Sequence, residues 1–404
     1  MLDPIALPRP LRSLAGRITD TDSHEMIPAQ LWESTFGPEV KELADALMNT
    51  DITDAHDKNS SNIPDYPGDI VQIDESVGDL KGCRAPGATD IARRLDVMDA
   101  MGIKRQLMYP TSVGIWATLL LMSEADPLFL HTIGGDRARK AKSWIKLYNR
   151  WMMAEVKRSD RIRPVPPLVG ESVAELQQAA GEMINAGIKA IWFPSSLAPA
   201  GRSPAHPDLD PLWARLAEAN CVVALHVGTE GKYFEPLSTW RDAPAFEGYR
   251  SLGEFSTDPW YLSNVHLPAQ NFVTTMILGG VFVRHPALRV AVSEVGAHWV
   301  GPMMEAMDIW HRNLTAFSPH SQRLMQLPST FVKKNIRVSP FSFEDVATYL
   351  DRYDVSDVLC FSSDYPHVEG GKSAMDAFYR NIERHGSAMV EKFFVTNGEY
   401  ILPE

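Results

Sequence analysis

Short apolar runs alternate with amphipathic stretches along most of the chain. Runs of four to eight such residues between turn signals are typical of buried strands, whereas apolar positions three and four apart indicate helices. Helices are predicted at 88–101, 112–160, 173–186, 208–219, 262–285 and 298–316. Strands are predicted at 17–24, 103–109, 163–168, 187–193, 221–227, 288–294, 335–338 and 357–361.

Eight strands separated by helices, with no domain-scale linker, favour a parallel sheet that closes into a (β/α)8 TIM barrel of the α/β class. A doubly wound open sheet is the alternative, but it would normally carry a glycine-rich turn after its first strand, and none is present. We expect a single domain over residues 1–404, with insertions at about 28–88, 112–160 and 228–261. The aromatic residues of 112–160 suit core and lid packing, and also a pocket wall or a subunit interface.

The composition is that of an ordinary globular protein, with 45% apolar and 22% charged residues. A net charge of −12 without lysine or arginine clusters argues against nucleic acid and anionic membranes as partners. The three cysteines have no paired spacing, which favours a reducing, cytoplasmic location. The sequence has no apolar run long enough to span a membrane and no secretory signal pattern in residues 1–17. We therefore expect a small-molecule substrate, and a homodimer through the 112–160 segment is compatible with this pattern.

Four side chains that suit a metal ion lie at the ends of three predicted strands. Asp22 and His24 end the first strand, His226 lies at the end of the fifth, and Asp364 follows the eighth. The carboxyl ends of the strands of a parallel barrel converge on one face, where active sites are built. Two imidazoles and two carboxylates on that face form a site for one divalent ion, with zinc as the first choice and manganese or iron(II) as alternatives.

Each of these motifs also has a structural interpretation when it is taken alone. Asp22 can cap a turn, His226 can be a hydrogen-bonded core histidine, and Asp364 can form a turn before a proline. However, Asp20, Asp22 and His24 share one face of the first strand, because alternate residues of a strand point the same way. Burying them inside a barrel costs free energy unless they are paired or metal-bound. The three strand ends together therefore favour the metal site.

The order of these motifs resembles the amidohydrolase superfamily, in particular the amidohydrolase family 2 branch related to aminocarboxymuconate-semialdehyde decarboxylase. The resemblance covers most of the chain, and the fold that it implies is a TIM barrel. The segments that carry it are the Asp-x-Asp-x-His opening at 20–24 and the segments at 93–103, 206–213, 279–286, 293–299 and 363–367.

The resemblance implies that the metal ligands are Asp22, His24, His226 and Asp364. Binuclear relatives carry a carbamylated lysine at the end of strand four, where this chain has Phe193 and Pro194, so a mononuclear centre is favoured. The metal would then either activate a water molecule, with Asp364 as the base, or hold a substrate carboxylate while a protein acid delivers a proton.

Strand six departs from the family pattern. Related decarboxylases usually carry a His-x-Gly-Glu motif there, whereas this chain has Glu294 in place of the histidine and Ala297 in place of the glutamate. Glu294 can act as a metal ligand, as a general acid or base, or as the partner of a nearby cation. His298 and His367 lie close in sequence to Glu294 and Asp364, so they are further candidates for catalytic roles, although His298 can simply cap the helix that it opens.

The sequence leaves the reaction open between two chemistries. Non-oxidative decarboxylation of a small carboxylated substrate, cyclic or aromatic, is the first choice. Hydrolysis of a C–N, C–O or C–C bond by a metal-activated water is the second. An inactive barrel that serves as a binding subunit is a third interpretation, but it would require lost ligands, and all four are present.

Overall fold

The computed structural model describes residues 3–49, 66–123, 129–247, 251–252, 255–256, 258–314, 317 and 324–402. Parts of all three predicted insertions, and the last two residues of the helix predicted at 298–316, lie outside the described residues.

Parallel strands form the centre of the molecule. In chain order they are β1 (Ile18–Asp20), β2 (Ile103–Met108), β3 (Ile162–Pro164), β4 (Ala190–Trp192), β5 (Val222–His226), β8 (Val290–Ser293) and β9 (Ile336–Val338). The remaining two strands, β6 (Ser251–Leu252) and β7 (Phe255–Ser256), form a separate antiparallel hairpin. One ladder joins β1, β2 and β3, and a second joins β4, β5, β8 and β9, with every pairing parallel.

Single bridges complete the ring between the two ladders. Pro167 pairs with Trp192 and thereby joins the end of β3 to β4, while Leu359 pairs with Val338 of β9. The backbone N–H of Thr21 then donates to the carbonyl of Phe361, which brings the segment 358–361 against β1. The eighth predicted strand is therefore present as a short extended segment, and the ring has the sequential order of a (β/α)8 barrel.

The observed strand ends differ from the predicted ones where the backbone cannot continue a ladder. The third strand was predicted to reach residue 168 but ends at Pro164, because prolines have no N–H to donate. The first strand was predicted to reach His24 but is regular only as far as Asp20, beyond which Ser23 and His24 make single bridges to Tyr365 and Tyr109. Beyond β1 the backbone thus pairs first with the loop that follows the eighth strand segment, at Ser23, and then with the residue that follows β2, at His24.

Helices surround the barrel. Their bounds are α1 (Trp32–Phe36), α2 (Lys41–Met48), α3 (Arg94–Ala100), α4 (Val113–Met122), α5 (Arg137–Glu155), α6 (Val173–Ala186), α7 (Asp210–Glu218), α8 (Gly231–Phe234), α9 (Pro259–Asn264), α10 (Leu267–Leu278), α11 (Val281–Arg284), α12 (Val300–Leu314), α13 (Pro328–Asn335), α14 (Val346–Arg352), α15 (Ala374–Ile382), α16 (Ser387–Glu391) and α17 (Asn397–Ile401). The helix predicted at 262–285 is divided at Gly279 and Gly280, where Gly280 has a φ of +73°. None of the described helices combines the length and the apolar character that crossing a bilayer requires.

Side-chain alternation along the strands separates two cores. Val222 and Ala224 of β5 face the barrel interior together with Trp192 and Ala291, whereas Val223 and Leu225 pack outward against the helices. His226 continues the inward series of β5, since alternate residues of a strand point to the same side. The strand pattern that makes the barrel thus also directs His226 toward its axis. All three cysteines are buried.

Candidate metal centre

The barrel brings Asp22, His24, His226, Glu294 and Asp364 into one buried cluster at the carboxyl ends of the strands, here called the donor cluster. All five side chains are buried. His24 Nε2 lies 3.3 Å from Asp22 Oδ1, 3.3 Å from Asp364 Oδ1 and 3.7 Å from Glu294 Oε2. His226 Nε2 lies 2.9 Å from Glu294 Oε2 and 3.5 Å from Asp22 Oδ1. Side chains from four strand ends therefore meet at one point.

The donor atoms of this cluster have no conventional hydrogen-bond partner. This holds for Asp22 Oδ1, His24 Nε2, His226 Nε2, Glu294 Oε2 and both carboxylate oxygens of Asp364. A buried polar atom without a partner costs on the order of 1–3 kcal/mol, and a buried charge costs more. A divalent cation among these atoms would satisfy several of them at once. The residues present therefore fit a divalent metal ion.

Two overlapping sets of four residues offer ligand atoms that all lie within 4.8 Å of one another. One set is Asp22, His24, His226 and Glu294. The other is His24, Glu294, Asp364 and His367. The sequence predicted Asp364 as the fourth ligand beside Asp22, His24 and His226, whereas the first set has Glu294 in that place.

Burial and the crowding of three carboxylates dominate the electrostatics of the donor cluster. Burial, reinforced by the charge of Asp364, raises the pKa of Glu294 to about 7. Burial and the charges of Asp22 and Glu369 raise the pKa of Asp364 well above its ordinary value. Burial also acts to raise the pKa of Asp22, but the charges of His226 and His24 outweigh it and lower this pKa. Carboxylates in such surroundings bind either protons or a cation.

Left-handed backbone turns aim two of the carboxylates. Glu294 has a φ of +56° and Asp364 a φ of +49°. Non-glycine residues in this region cost about 1–3 kcal/mol each and cluster at functional sites. Along β8, Val290 and Val292 pack outward while Ala291 lies in the interior core, so a regular strand would send Glu294 outward as well. The left-handed turn reverses this and brings Glu294 into the cluster.

Two buried charged residues hold the backbone around His24. Glu25 Oε1 accepts hydrogen bonds from the N–H groups of Thr111 and Ser112, both at 2.9 Å, and from the Tyr148 hydroxyl at 2.7 Å. The Arg94 guanidinium donates to the carbonyl oxygen of His24 at 2.6 Å. Sequence reasoning missed both residues as site residues. The available signal was a glutamate directly after His24.

Asp20 shares a strand face with Asp22 and His24 but has a different partner. Its carboxylate accepts hydrogen bonds from the N–H of Ser363 at 2.8 Å and from the Ser363 hydroxyl at 2.6 Å. Asp20 therefore ties the first strand to the loop that carries Asp364, and it is in neither donor set.

The other two predicted catalytic residues lie in different surroundings. His367 is buried, and its Nε2 is 2.7 Å from Thr111 Oγ1 while its Nδ1 is 3.5 Å from Asp364 Oδ1. His298 has a side chain that is 46% exposed, and its Nδ1 lies 4.0 Å from Glu344. The structure thus places His367 beside the donor cluster, and it places His298 in neither donor set, ahead of the first residue of α12.

Two further charged groups near the cluster were not found from the sequence. Glu369 is buried, both of its carboxylate oxygens lack a hydrogen-bond partner, and burial followed by the charge of Glu294 raises its pKa to about 7. Burial lowers the pKa of Lys81, while the charges of Asp364, Asp79 and Glu369 act in the opposite direction. Lys81 lies in an irregular segment and Glu369 in a 3-10 helix of three residues, and hydrophobic periodicity gives no information about side-chain direction in either.

Aromatic rings cover one side of the donor cluster. The Tyr109 ring stacks on His226 with ring centroids 4.4 Å apart, and Trp192 meets His226 edge-on at 5.7 Å. Both rings belong to the interior core of the barrel. At the end of β4, Phe193 and Pro194 follow Trp192, while Lys189 Nζ donates to the carbonyl of Ala219. No lysine therefore projects from the end of this strand.

A TIM barrel that gathers imidazoles and carboxylates at the ends of its strands defines the class of metal-dependent barrel proteins. The family model described as amidohydrolase matches residues 120–403 of this chain. The chain belongs to this family, which confirms the resemblance seen in its motifs. No curated protein matches the sequence significantly.

Solved structures support the same fold. An amidohydrolase from Mycobacterium avium subsp. paratuberculosis is 18% identical over 96% of this chain and 99% of its own, with a TM-score of 0.65. The 5-carboxyvanillate decarboxylase of Novosphingobium aromaticivorans, with manganese bound, is 16% identical over 96% and 97%, with a TM-score of 0.57. The 2,6-dihydroxybenzoate decarboxylase of Rhizobium is 16% identical over 96% and 98%, with a TM-score of 0.54. The predicted barrel fold is thereby confirmed.

Proposed function

We propose that this protein is a metal-dependent, non-oxidative decarboxylase of a small aromatic carboxylate. The observation that carries the proposal is the donor cluster, because its buried imidazole and carboxylate atoms converge on one point without partners of their own. Two of the structures with the same fold are decarboxylases of hydroxylated aromatic acids, and one of them holds manganese. The site and the fold therefore support the same chemistry.

The ligands that we propose for the metal ion are Asp22, His24, His226 and Asp364. Zinc is the ion that the sequence predicts. Manganese and iron(II) suit the same mixture of imidazole and carboxylate donors. When bound, the ion would supply a Lewis acid and an anchor for the anionic end of the substrate.

The residues around the ion would position the substrate and handle a proton. The rings of Tyr109 and Trp192 pack against His226 and keep water from that side of the cluster. In decarboxylation the bond between the ring carbon and the carboxylate breaks, its electron pair stays on the ring carbon, and that carbon takes up a proton as CO2 leaves. His367 Nδ1 lies 3.5 Å from Asp364 Oδ1, and these two residues can hold or pass this proton.

Hydrolysis by a metal-activated water is the second candidate function. The specific observation in its favour is that both carboxylate oxygens of Asp364 lack hydrogen-bond partners while Oδ1 lies 3.3 Å from His24 Nε2. A carboxylate in that position can accept a proton from a water molecule next to it. The two functions share the metal centre and differ in the bond that is broken.

A substrate panel separates the two functions. The protein loaded with zinc or manganese is assayed for CO2 release from mono- and dihydroxylated benzoates, and in parallel for cleavage of amides and lactones of similar size. The proposal predicts CO2 release that is absent from the His226→Ala variant. Cleavage of amides or lactones without CO2 release from any benzoate would establish the hydrolase instead.

The single-domain organisation over residues 1–404, the cytoplasmic location and a homodimer remain predictions from the sequence. A catalytic role of His298 is also a prediction, and its half-exposed position suits a residue at the rim of the site better than one in contact with the metal.

A further inference from the structure

We infer that Glu294, which occupies the position where related decarboxylases usually carry a histidine on strand six, is itself a ligand of the metal ion. The inference rests on the proposed function in one respect only, since it requires that the donor cluster holds a divalent ion. The sequence alone left three roles open for Glu294, namely metal ligand, proton carrier or partner of a nearby cation, and the structure favours the first.

The distances within the donor cluster carry the inference. In a tetrahedral site with metal–ligand bonds of about 2.0–2.2 Å, neighbouring ligand atoms are about 3.3–3.6 Å apart. Asp22 Oδ1 lies 3.3 Å from His24 Nε2 and 3.5 Å from His226 Nε2. Glu294 Oε2 completes the set at 2.9 Å from His226 Nε2 and 3.7 Å from His24 Nε2. The two distances from Asp22 match this spacing, the two from Glu294 lie just outside it, and all four atoms lie within 4.8 Å of one another, so small side-chain shifts would let them surround one ion.

Asp364 is not a member of this set. Its Oδ1 is 3.3 Å from His24 Nε2, but the residue falls in the overlapping set with His24, Glu294 and His367. Glu294 belongs to both sets, so an ion at either position would have the Glu294 carboxylate within reach. Asp364 can then bind as an additional ligand or stand beside the ion as a base.

The backbone supports the same assignment. Val290 and Val292 of β8 pack outward, and a continued strand would place Glu294 on that outward side, away from the barrel axis. A φ of +56° instead turns the carboxylate inward, in a conformation that L-residues rarely adopt. Such a strained conformation persists only where surrounding interactions hold it in place, and binding of the side chain to a metal ion would be one such interaction.

No other partner accounts for the carboxylate. Among the residues that the structure describes, the basic groups within ion-pair distance of Glu294 are His24 and His226, both of which are themselves proposed ligands. Glu294 Oε2 is buried and lacks a hydrogen bond. A free proton carrier would need room to reach the substrate, whereas Oε2 already lies between the two imidazoles.

A carboxylate in place of a histidine changes which ion the site prefers. Oxygen donors favour manganese and magnesium more than imidazole does, whereas imidazole suits zinc. With Glu294 bound, the ion has three carboxylates and two imidazoles within reach. We expect a manganese preference higher than in a variant that carries histidine at this position.

The test compares metal binding in two variants that each lose one buried carboxylate. Glu294→Gln removes a proposed ligand, while Glu369→Gln removes the same charge from a neighbouring residue that is in neither donor set. Manganese and zinc affinities are measured by chelator competition, after circular dichroism has shown that each variant is folded. Loss of a residue that merely supports a ligand costs 10–100-fold in affinity, so Glu294→Gln is expected to cost about 100-fold or more, and at least about tenfold more than Glu369→Gln.

A third variant and a spectrum keep the test decisive if Glu294→Gln folds poorly. Glu294→His supplies a different ligand and should bind zinc more tightly than Glu294→Gln does, with the ratio of zinc to manganese affinity raised above that of the unmodified protein. The visible spectrum of the cobalt(II)-loaded protein should change in Glu294→Gln and stay the same in Glu369→Gln. Equal affinities for the two glutamine variants with an unchanged cobalt spectrum would overturn the inference. An unmodified protein that binds no divalent metal would instead refute the proposed function.

Discussion

His367 lies flat on His24, with ring centroids 3.8 Å apart and ring planes inclined by 17°. The stacked pair joins a proposed metal ligand to a residue from the loop after the last barrel segment. Burial, followed by the charges of His24 and His226, lowers the pKa of His367 well below its ordinary value, which favours the neutral ring. A neutral imidazole has one nitrogen that donates and one that accepts a hydrogen bond.

The first prediction concerns this histidine. A positioned general acid or base contributes typically 10²–10⁴-fold to a rate, so His367→Gln should lower turnover by about 100-fold or more. Metal content should stay near that of the unmodified protein, because the set formed by Asp22, His24, His226 and Glu294 is complete without His367. Steady-state kinetics and metal analysis on the same sample check both statements.

Thr111→Val is the matched control for His367. It removes the hydroxyl that lies 2.7 Å from His367 Nε2 but leaves the imidazole in place. We expect a smaller loss of turnover than in His367→Gln. Unchanged turnover in His367→Gln would exclude a role in proton transfer.

The second prediction concerns the hydrogen bonds behind His24. The Tyr148 hydroxyl donates to Glu25 Oε1, which also receives the N–H groups of Thr111 and Ser112. Tyr148→Phe should lower the free energy of unfolding by about 1–3 kcal/mol, because the buried carboxylate loses one of its donors. Urea denaturation measures the change.

Tyr66→Phe serves as the comparison for that measurement. The Tyr66 hydroxyl is part-buried and shares its hydrogen bonding between two neutral groups, the Cys83 carbonyl at 3.3 Å and the Thr89 hydroxyl at 3.2 Å, so the loss should be about 0.5–1.5 kcal/mol. A larger loss in Tyr66→Phe than in Tyr148→Phe would contradict the importance of the Glu25 network.

The third prediction concerns pH. Glu230 is buried after β5, its Oε2 accepts hydrogen bonds from Gly228 N–H and the Tyr261 hydroxyl, and burial raises its pKa from 4.5 to about 7. The folded protein therefore holds this proton more tightly than the unfolded chain. The contribution of Glu230 to the free energy of unfolding is about 3 kcal/mol; it is fully present below pH 4.5 and is lost as the pH rises through about 7.

Glu230→Gln should remove this part of the pH dependence, since an amide does not titrate. Denaturation curves of the metal-loaded protein at pH 5, 6 and 7 measure it, with the exposed Glu235→Gln as control. A pH profile of Glu230→Gln that is identical to that of the unmodified protein would show that the carboxyl does not titrate in this range.

Much of the fold followed from the sequence because strand and helix periodicities are local. The inward direction of the His226 side chain follows from the alternation along β5. The shared direction of the Asp22 and His24 side chains follows from the same alternation in the segment after β1. These are the three donors whose placement needs only strand geometry and the convergence of strand ends in a barrel.

The remaining donors could not be placed in this way. Alternation along β8 directs Glu294 outward, and its left-handed φ comes from the tertiary structure rather than from the pattern of its neighbours. Asp364 has the same backbone conformation in an irregular loop. The hydrogen bond from Arg94 to the carbonyl oxygen of His24 joins residues 70 positions apart in the sequence, and hydrophobic periodicity gives no information over such a separation.

The central claim is that the donor cluster binds one divalent ion, and the metal content of the purified protein tests it most directly. After loading with zinc or manganese and removal of the excess, elemental analysis should give about one equivalent per chain. The His206→Ala control should give the same, because His206 is a half-exposed histidine beside Asp208 on the surface. His226→Ala should give close to none. Equal metal content in His226→Ala and His206→Ala, or none in the unmodified protein, would contradict the account.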